Sequence, residues 1–301
     1  MKRKVSKIGP STLMVSLPNK WVKRYGIKKG DELEITEDGG TLTIGSQGEV
    51  KLKKTEIDVT GIFPMVKRSL GALFKSGYDE FEVHYSSLQE LKDARFVIRD
   101  EFIGFEVVNQ SKSSLTAKQV SIVQPEELKT MFRRMFLIIK TMNEDGLEAI
   151  KNNDYEQMEE IIIRDLDVNK ISDFCRRIIN KNSRNMERAP PLYFMAEQLE
   201  KVGDCFRDIC KAQLSSKQKI HKQTLDMFKE INIFFNDFYT VFYKFNLTDM
   251  GKFGRDRKII KKKIDMIFNK KQVTNLHIMI PLTKAFEATF DMNGPLMAYN
   301  L

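Results

Sequence analysis

A chain of 301 residues with 42% hydrophobic and 30% charged side chains has room for two or three domains and the composition of a folded protein. No apolar run approaches the roughly 18 residues of a membrane span, so membrane insertion is not expected. Three cysteines without CxxC spacing imply neither a disulfide framework nor a zinc finger. We expect a cytoplasmic protein with free thiols.

Charge is distributed unevenly along the chain. The first 30 residues contain nine Lys or Arg and no Asp or Glu, and this excess equals the net charge of +9 of the whole protein. The remaining 271 residues carry 41 basic and 41 acidic side chains. A cluster of one sign at one end of a balanced chain is typical of proteins that bind a polyanion, nucleic acid above all.

Residues 1–46 are predicted to form a small β domain around one short helix. Alternating apolar residues predict strands at 4–8, 13–17, 33–36 and 42–44. Pro18 is placed to begin the helix and Gly26 to end it. About 46 residues without a disulfide or a metal cannot bury a sufficient core, so oligomerisation is the expected source of stability.

Residues 50–121 and 122–301 are predicted to be a short α/β segment and an all-α bundle, which makes the chain a multidomain α+β protein. In the α/β segment we expect helices at 62–77 and 88–102, and strands at 80–85, 105–108 and 115–120. Six amphipathic stretches follow, around 132–142, 154–181, 190–214, 218–245, 255–269 and 274–292, with a break predicted at 248–251. Six long helices with short links predict a bundle.

The N-terminal segment resembles the SpoVT/AbrB family of swapped-hairpin DNA-binding domains. The matching phrases are Lys7-Ile8-Gly9, Leu17-Pro18-Asn19-Lys20-Trp21, Gly26-Ile27-Lys28-Lys29-Gly30-Asp31 and Gly39-Gly40-Thr41-Leu42. The resemblance implies a homodimer formed through this domain and double-stranded DNA as its partner. The DNA-binding residues that it implies are Lys2, Arg3, Lys4 and Lys7, with Lys20, Lys23 and Arg24 on or beside the helix.

Physical chemistry gives these cations distinct roles. Lys and Arg release condensed counterions from phosphates, so affinity should fall with salt. Arg3 is the only member of the first-strand group with a bidentate fork for a guanine edge. Two alternatives stay open: a solvated positive surface without a partner, and a dimerisation or antitoxin-like module, although the long helical remainder fits no short antitoxin.

Three helical segments carry acidic or amide side chains four residues apart. They contain Asp165, Asn169 and Asp173; Glu200, Asp204 and Asp208; and Glu287 and Asp291. Such residues share a helix face, and those of like charge repel one another. A facing Lys or Arg, open solvent or a bound cation must offset the repulsion.

Residues 125–295 resemble the PhoU family, regulators of phosphate uptake built as two three-helix repeats. The phrase Leu199-Glu200-Lys201-Val202-Gly203-Asp204 carries the resemblance most closely. An AbrB-like head joined to a PhoU-like body is a combination associated with archaeal regulators. Some PhoU proteins hold iron or zinc clusters, which implies metal ligands at Glu200, Asp204, Glu287, Asp291 and Asp165.

The chain departs from the PhoU pattern at two places. Asn169 stands where the family has Asp, which removes an anionic oxygen. The stretch 255–268 shows no acidic pair at the right spacing and instead carries Arg255, Arg257, Lys258, Lys261, Lys262 and Lys263. Carboxylates paired with these or other cations are therefore the alternative to a metal site.

We expect a DNA-binding transcriptional regulator linked to phosphate uptake or phosphate status. The alternative is a PhoU-like interaction protein that regulates a phosphate-transport component without binding DNA. An enzyme is not expected, because the sequence contains no HExxH, no phosphate loop and no GxSxG motif.

Overall fold

The computed structural model describes residues 2–46, 52–121, 126–183, 186–269 and 275–301. The chain divides into two compact units, Met1–Leu52 and Lys53–Leu301. The predicted domain boundaries at 46–50 and 121–122 adjoin stretches outside the described residues and stay predictions.

The N-terminal unit contains two antiparallel hairpins and a short helix. Its elements are β1 (Val5–Ile8), β2 (Thr12–Val15), α1 (Asn19–Tyr25), β3 (Leu33–Asp38) and β4 (Thr41–Ser46). Strand β1 pairs with β2, and β3 pairs with β4. Gly26 ends α1 at a φ of 65°, a conformation that favours glycine, and its N–H donates to the carbonyl of Val22.

The described residues of this unit form no hydrophobic core within one chain. Among its described side chains none is buried. Val5, Leu13, Ile35 and Leu42 are 63%, 67%, 61% and 65% exposed. Burying each of them would contribute about 1.5–3 kcal/mol, and a single copy forgoes that stabilisation.

The second unit begins with a four-stranded sheet. Its elements are β5 (Lys54–Asp58), α2 (Val66–Lys75), β6 (Glu80–His84), α3 (Leu88–Phe96), β7 (Phe105–Gln110) and β8 (Ser114–Gln119). The strand order is β5-β6-β8-β7, with β5 parallel to β6 and the other pairs antiparallel. Phe81 and Leu115 are buried on one face of the sheet, where Phe74 of α2 packs edge-on against Phe105 at 5.4 Å between ring centroids.

Helix α3 differs from its prediction at its end. It begins with a capping box, in which the Ser87 hydroxyl accepts from the N–H of Glu90 and the Glu90 carboxylate accepts from the N–H of Ser87. The sequence predicts helix to residue 102, but the α-helix ends at Phe96 and continues as a π-helical turn, Val97–Glu101. Strand β5 was not predicted.

The remainder is a helical bundle. Its helices are α4 (Glu127–Asn152), α5 (Tyr155–Asn182), α6 (Ala189–Ser216), α7 (Lys222–Tyr243), α8 (Leu247–Phe268), α9 (Leu276–Asp291) and the short α10 (Asn293–Asn300). The six long helices and the multidomain α+β fold class are confirmed. The predicted break at 248–251 is wrong: α8 begins at Leu247, because the Asn246 side chain caps the helix by accepting from the N–H of Asp249 at 2.8 Å.

The bundle consists of two three-helix repeats, as predicted. Helices α4, α5 and α6 pack on one another, and α7 packs on both α8 and α9. Contacts of α6 with α9 and of α4 with α7 join the two halves. Buried positions recur in the same order in both halves: Met158 with Met250, Ile161 with Phe253, Val168 with Ile260, Leu192 with Met279, and Leu199 with Phe286.

None of the described helices is both long enough and apolar enough to cross a bilayer.

Candidate nucleic-acid interface and carboxylate–arginine sites

The seven predicted DNA-binding residues are all exposed on the N-terminal unit. They are Lys2, Arg3, Lys4, Lys7, Lys20, Lys23 and Arg24. Across the described part of the chain, none of them forms an ion pair with a carboxylate. Their positive charge is therefore available to an external anion.

The β1–β2 hairpin places Lys7 beside apolar side chains. The register sets Val5 opposite Val15 and Lys7 opposite Leu13. Since opposed residues and alternate residues share a sheet face, Lys7 lies on the same face as these three apolar side chains, at the end next to the turn. The hairpin thus combines a cationic rim with exposed apolar surface.

Three of the seven cations lie on helix α1. Lys20, Lys23 and Arg24 are separated by three and four residues, so they share one helix face. Lys23 and Arg24 occupy the last turn, where positive charge stabilises the helix dipole. Lys23 and Arg24 therefore have a local role in stabilising the helix, whereas the cations at the first strand lie outside any helix and have no such role.

In the first repeat, Arg207 of α6 neutralises two of the predicted metal ligands. Its guanidinium donates to Asp165 Oδ2 at 2.7 Å and contacts Asp204, and it also pairs with Asp208 at 2.8 Å. Asp165 is 2% exposed, and this burial raises the pKa of its carboxyl group although Arg207 opposes the shift. Asn169 donates to Asp165 at 3.2 Å.

Glu200 is paired with a second arginine. Arg176 of α5 contacts its carboxylate, and the Ser172 hydroxyl donates to the same oxygen at 3.0 Å. Arg176 also pairs with Asp173 at 2.6 Å, and Lys75 of α2 pairs with Asp173 at 2.9 Å. A continuous set of ion pairs therefore connects α6 with the α/β segment. Burial raises the pKa of Glu200, while Arg176 opposes the shift.

The second repeat has cations where the first has Asp165 and Asn169. The correspondence of buried positions aligns Arg257 with Asp165 and Lys261 with Asn169. Arg257 pairs with Glu287 at 3.2 Å, and Lys261 pairs with it at 3.3 Å. Asp291 is exposed, and no ion pair to it occurs within the described ranges.

These donor sets do not fit an iron or zinc cluster. A cluster needs roughly four or more oxygen, nitrogen or sulfur donors per metal. Two buried oxygens lack a hydrogen-bond partner here, Asp165 Oδ1 and Asn169 Oδ1, and Arg207 already supplies positive charge beside them. Among the described residues, no three His, Cys, Asp or Glu side chains form a group that could hold a metal ion.

The sequence leaves the source of the neutralising charge open, and the structure identifies arginine, with lysine as a second partner of Asp173 and Glu287. The i, i+3 spacing of Asp173 with Arg176 and of Asp204 with Arg207 is a signal that the sequence contains. The partners across helices, such as Arg207 with Asp165, carry no such signal because 42 residues separate them.

Arg177 is a buried residue that the sequence did not single out. It joins α5 to the α/β segment by donating to the carbonyls of Phe74 and Tyr78 at 2.8 and 2.7 Å and to Asp79 and Gln119 at 3.0 and 2.9 Å. Its guanidinium lies 5.0 and 4.9 Å from the ring centroids of Phe74 and Phe105. Burial lowers its pKa to about 10, while Asp79 opposes the shift.

Comparisons with known proteins agree with both sequence resemblances. Residues 7–55 match the family model described as antidote-toxin recognition MazE, bacterial antitoxin, and residues 132–212 match the PhoU domain. No curated protein matches the chain. A solved structure, the phosphate transport system regulatory protein PhoU from Streptococcus pneumoniae, is 18% identical with a TM-score of 0.47; the match covers 57% of this chain and 92% of that one.

Proposed function

We propose that this protein, which joins a MazE/AbrB-like domain to a PhoU domain, is a dimeric DNA-binding regulator linked to phosphate uptake. One observation carries the DNA-binding part: seven exposed cations without ion pairs lie on a unit in which no described side chain is buried. The PhoU match supports the link to phosphate.

The exposed apolar residues of the N-terminal unit support dimerisation. A second copy that interleaves its hairpins would cover Val5, Leu13, Ile35 and Leu42, which one chain leaves exposed. Two copies would also present two sets of cations to a duplex, so two half-sites related by a two-fold axis are the expected target.

Regulation requires that the helical part change the affinity of the N-terminal units for DNA. A signal bound to the second unit can act in this way only if it favours one of two arrangements with different DNA affinity. The linked ion pairs from α6 through Asp173 to α2 provide a route by which the bundle and the α/β segment influence each other.

The test is salt-dependent binding of a short duplex to the full-length protein. For the double variant Arg3→Ala and Lys7→Ala we expect weaker binding and a shallower log–log salt slope, by about 0.9 per chain for each phosphate contact that is lost. Lys28→Ala with Lys29→Ala removes the same charge from exposed positions outside the predicted interface and should retain most of the affinity.

A second candidate function has its own support. The MazE match is to a family described by recognition of a toxin protein, which favours a protein-binding or dimerisation role for the N-terminal unit. Under that function the protein regulates a phosphate-transport component without DNA. An absence of salt-dependent duplex binding, or binding that Arg3→Ala and Lys7→Ala leave unchanged, would favour it over the regulator.

A further inference from the structure

The α/β segment contains a concave site that neither family match covers, since it lies between residues 55 and 132. A cavity of about 430 Å³ opens between α3, the π-helical turn and β7. This volume lies within the roughly 300–1,000 Å³ that is usual for small-ligand sites. Its lining residues are Lys92, Arg95, Phe96, Ile98, Arg99, Glu106 and Val107.

We propose that this cavity binds a small organic or inorganic oxyanion, one that presents phosphate or carboxylate oxygens. Lys92, Arg95 and Arg99 follow one another at spacings of three and four residues, so one side of α3 and its π-helical extension directs three cations toward the cavity. Glu106 is the acidic lining residue, and the lining therefore has an excess of positive charge.

Two of the three cations are not neutralised by carboxylates. Neither Lys92 nor Arg95 forms an ion pair within the described segments. Arg95 is held in place by Gln110 of β7, whose side-chain oxygen accepts from Nη1 at 2.8 Å. This neutral partner orients the guanidinium fork and leaves its charge for a ligand, which suits bidentate binding of an oxyanion.

Both walls of the cavity depart from regular secondary structure. The helix wall changes to the π-helical turn at Val97–Glu101, and the strand wall has a bulge in β7 between Val107 and Asn109. Such irregularities are enriched at functional sites because they redirect side chains. Here they adjoin Arg99 and Val107, which line the cavity.

A small molecule fits this site better than a nucleic acid. The cavity is concave, and Phe96, Ile98 and Val107 give it apolar walls beside the cations. A polyanion binds along an extended groove or stripe of cations. The π-helical turn also packs on α5, so an occupant that contacts Arg99 would lie one element away from the bundle.

The experiment is calorimetric titration of the full-length protein with inorganic phosphate, adenosine monophosphate and citrate in separate arms. We expect one saturable site per chain for at least one probe. Saturation by phosphate or the nucleotide alone assigns phosphate chemistry, and saturation by citrate alone assigns carboxylate chemistry. The double variant Lys92→Ala and Arg95→Ala should weaken binding by about tenfold or more.

Control variants separate this site from other cations. Lys211→Ala with Lys222→Ala removes equal charge from exposed positions of the bundle, and Arg3→Ala with Lys7→Ala removes it from the N-terminal unit. Both pairs should bind the anion within about twofold of the wild type, whatever their affinity for DNA. Saturation by none of the probes, or an unaltered affinity of the Lys92→Ala and Arg95→Ala protein, would each overturn the proposal.

Discussion

In the N-terminal unit, Val5, Leu13 and all seven candidate DNA-binding cations are exposed to solvent. In the second unit, the apolar stripes of the helices are buried, and most of the predicted metal ligands are paired with arginine or lysine. The first unit therefore leaves both apolar surface and charge for other molecules. The second unit buries most of its own apolar surface and pairs most of these charges internally. This difference supports the proposal that the first unit associates with a second copy and binds DNA.

The largest expected effect is the loss of dimerisation on substitution of an exposed apolar residue of the hairpin. Leu13→Asp places a carboxylate on the face that a second copy would cover, and we expect a monomer in solution with little duplex binding. Light scattering measures the mass. Leu88→Asp is the matched control, because Leu88 is 65% exposed and Leu13 is 67% exposed. A dimer of unchanged mass for Leu13→Asp would contradict the swapped-hairpin dimer.

The next effect concerns the junction in the second unit. Arg177→Met removes four hydrogen bonds, to Asp79, Gln119 and two carbonyls, although Lys181 still pairs with Asp79. At about 1 kcal/mol for each bond, the free energy of unfolding should fall by about 3–5 kcal/mol. Denaturant titration measures the change. Arg164→Met, which removes partly exposed ion pairs of the same helix, should cost about 0–1 kcal/mol. Similar losses of unfolding free energy for the two variants would contradict the role of Arg177 in joining α5 to the α/β segment.

A smaller loss is expected at Arg207. Arg207→Ala leaves the buried Asp165 without its cation, and because Arg207 is itself partly exposed we expect a loss of about 2–3 kcal/mol. Adding Asp165→Asn removes the uncompensated charge and should recover part of the stability. Since arginine supplies the positive charge here, treatment of the wild type with a chelator should leave its melting temperature unchanged; a large decrease would restore the metal hypothesis.

The smallest effect is confined to acid pH. Glu90 accepts the N–H groups of Gly61, Ser86 and Ser87, and these bonds lower its pKa from 4.5 to about 2. Between these values the folded state binds fewer protons than the unfolded state, so the stabilisation by Glu90 is present above pH 4.5 and is lost as the pH falls toward 2.

Unfolding of Glu90→Gln followed from pH 6 to pH 2 tests this assignment. The variant should be less stable at pH 6 and should lose stability less steeply than the wild type as the solution is acidified. Glu148→Gln is the control, since Glu148 is exposed and its carboxylate pairs with Lys151 on the surface of α4. Parallel curves for the wild type and Glu90→Gln would contradict the assignment.

Much of the fold could be predicted from local patterns. The apolar stripe of Phe132, Met135 and Phe136 recurs at helical spacing, and Gly26 stands where a left-handed residue ends α1. Such signals act within a few residues of one another, so they are readable in the sequence. The break predicted at 248–251 failed because turn-prone residues also favour the first turn of a helix when a residue such as Asn246 caps it.

The sequence by itself determined where the excess of positive charge lies and where the long helices lie, since both depend on composition and on short-range spacing. Only the tertiary structure decided that Arg207 neutralises Asp165 and that Arg177 joins the bundle to Asp79, because these partners are distant in the chain and meet only after the helices pack. It also placed Arg95 beside Gln110 at a cavity, since a helix and a strand edge must come together before the lining exists.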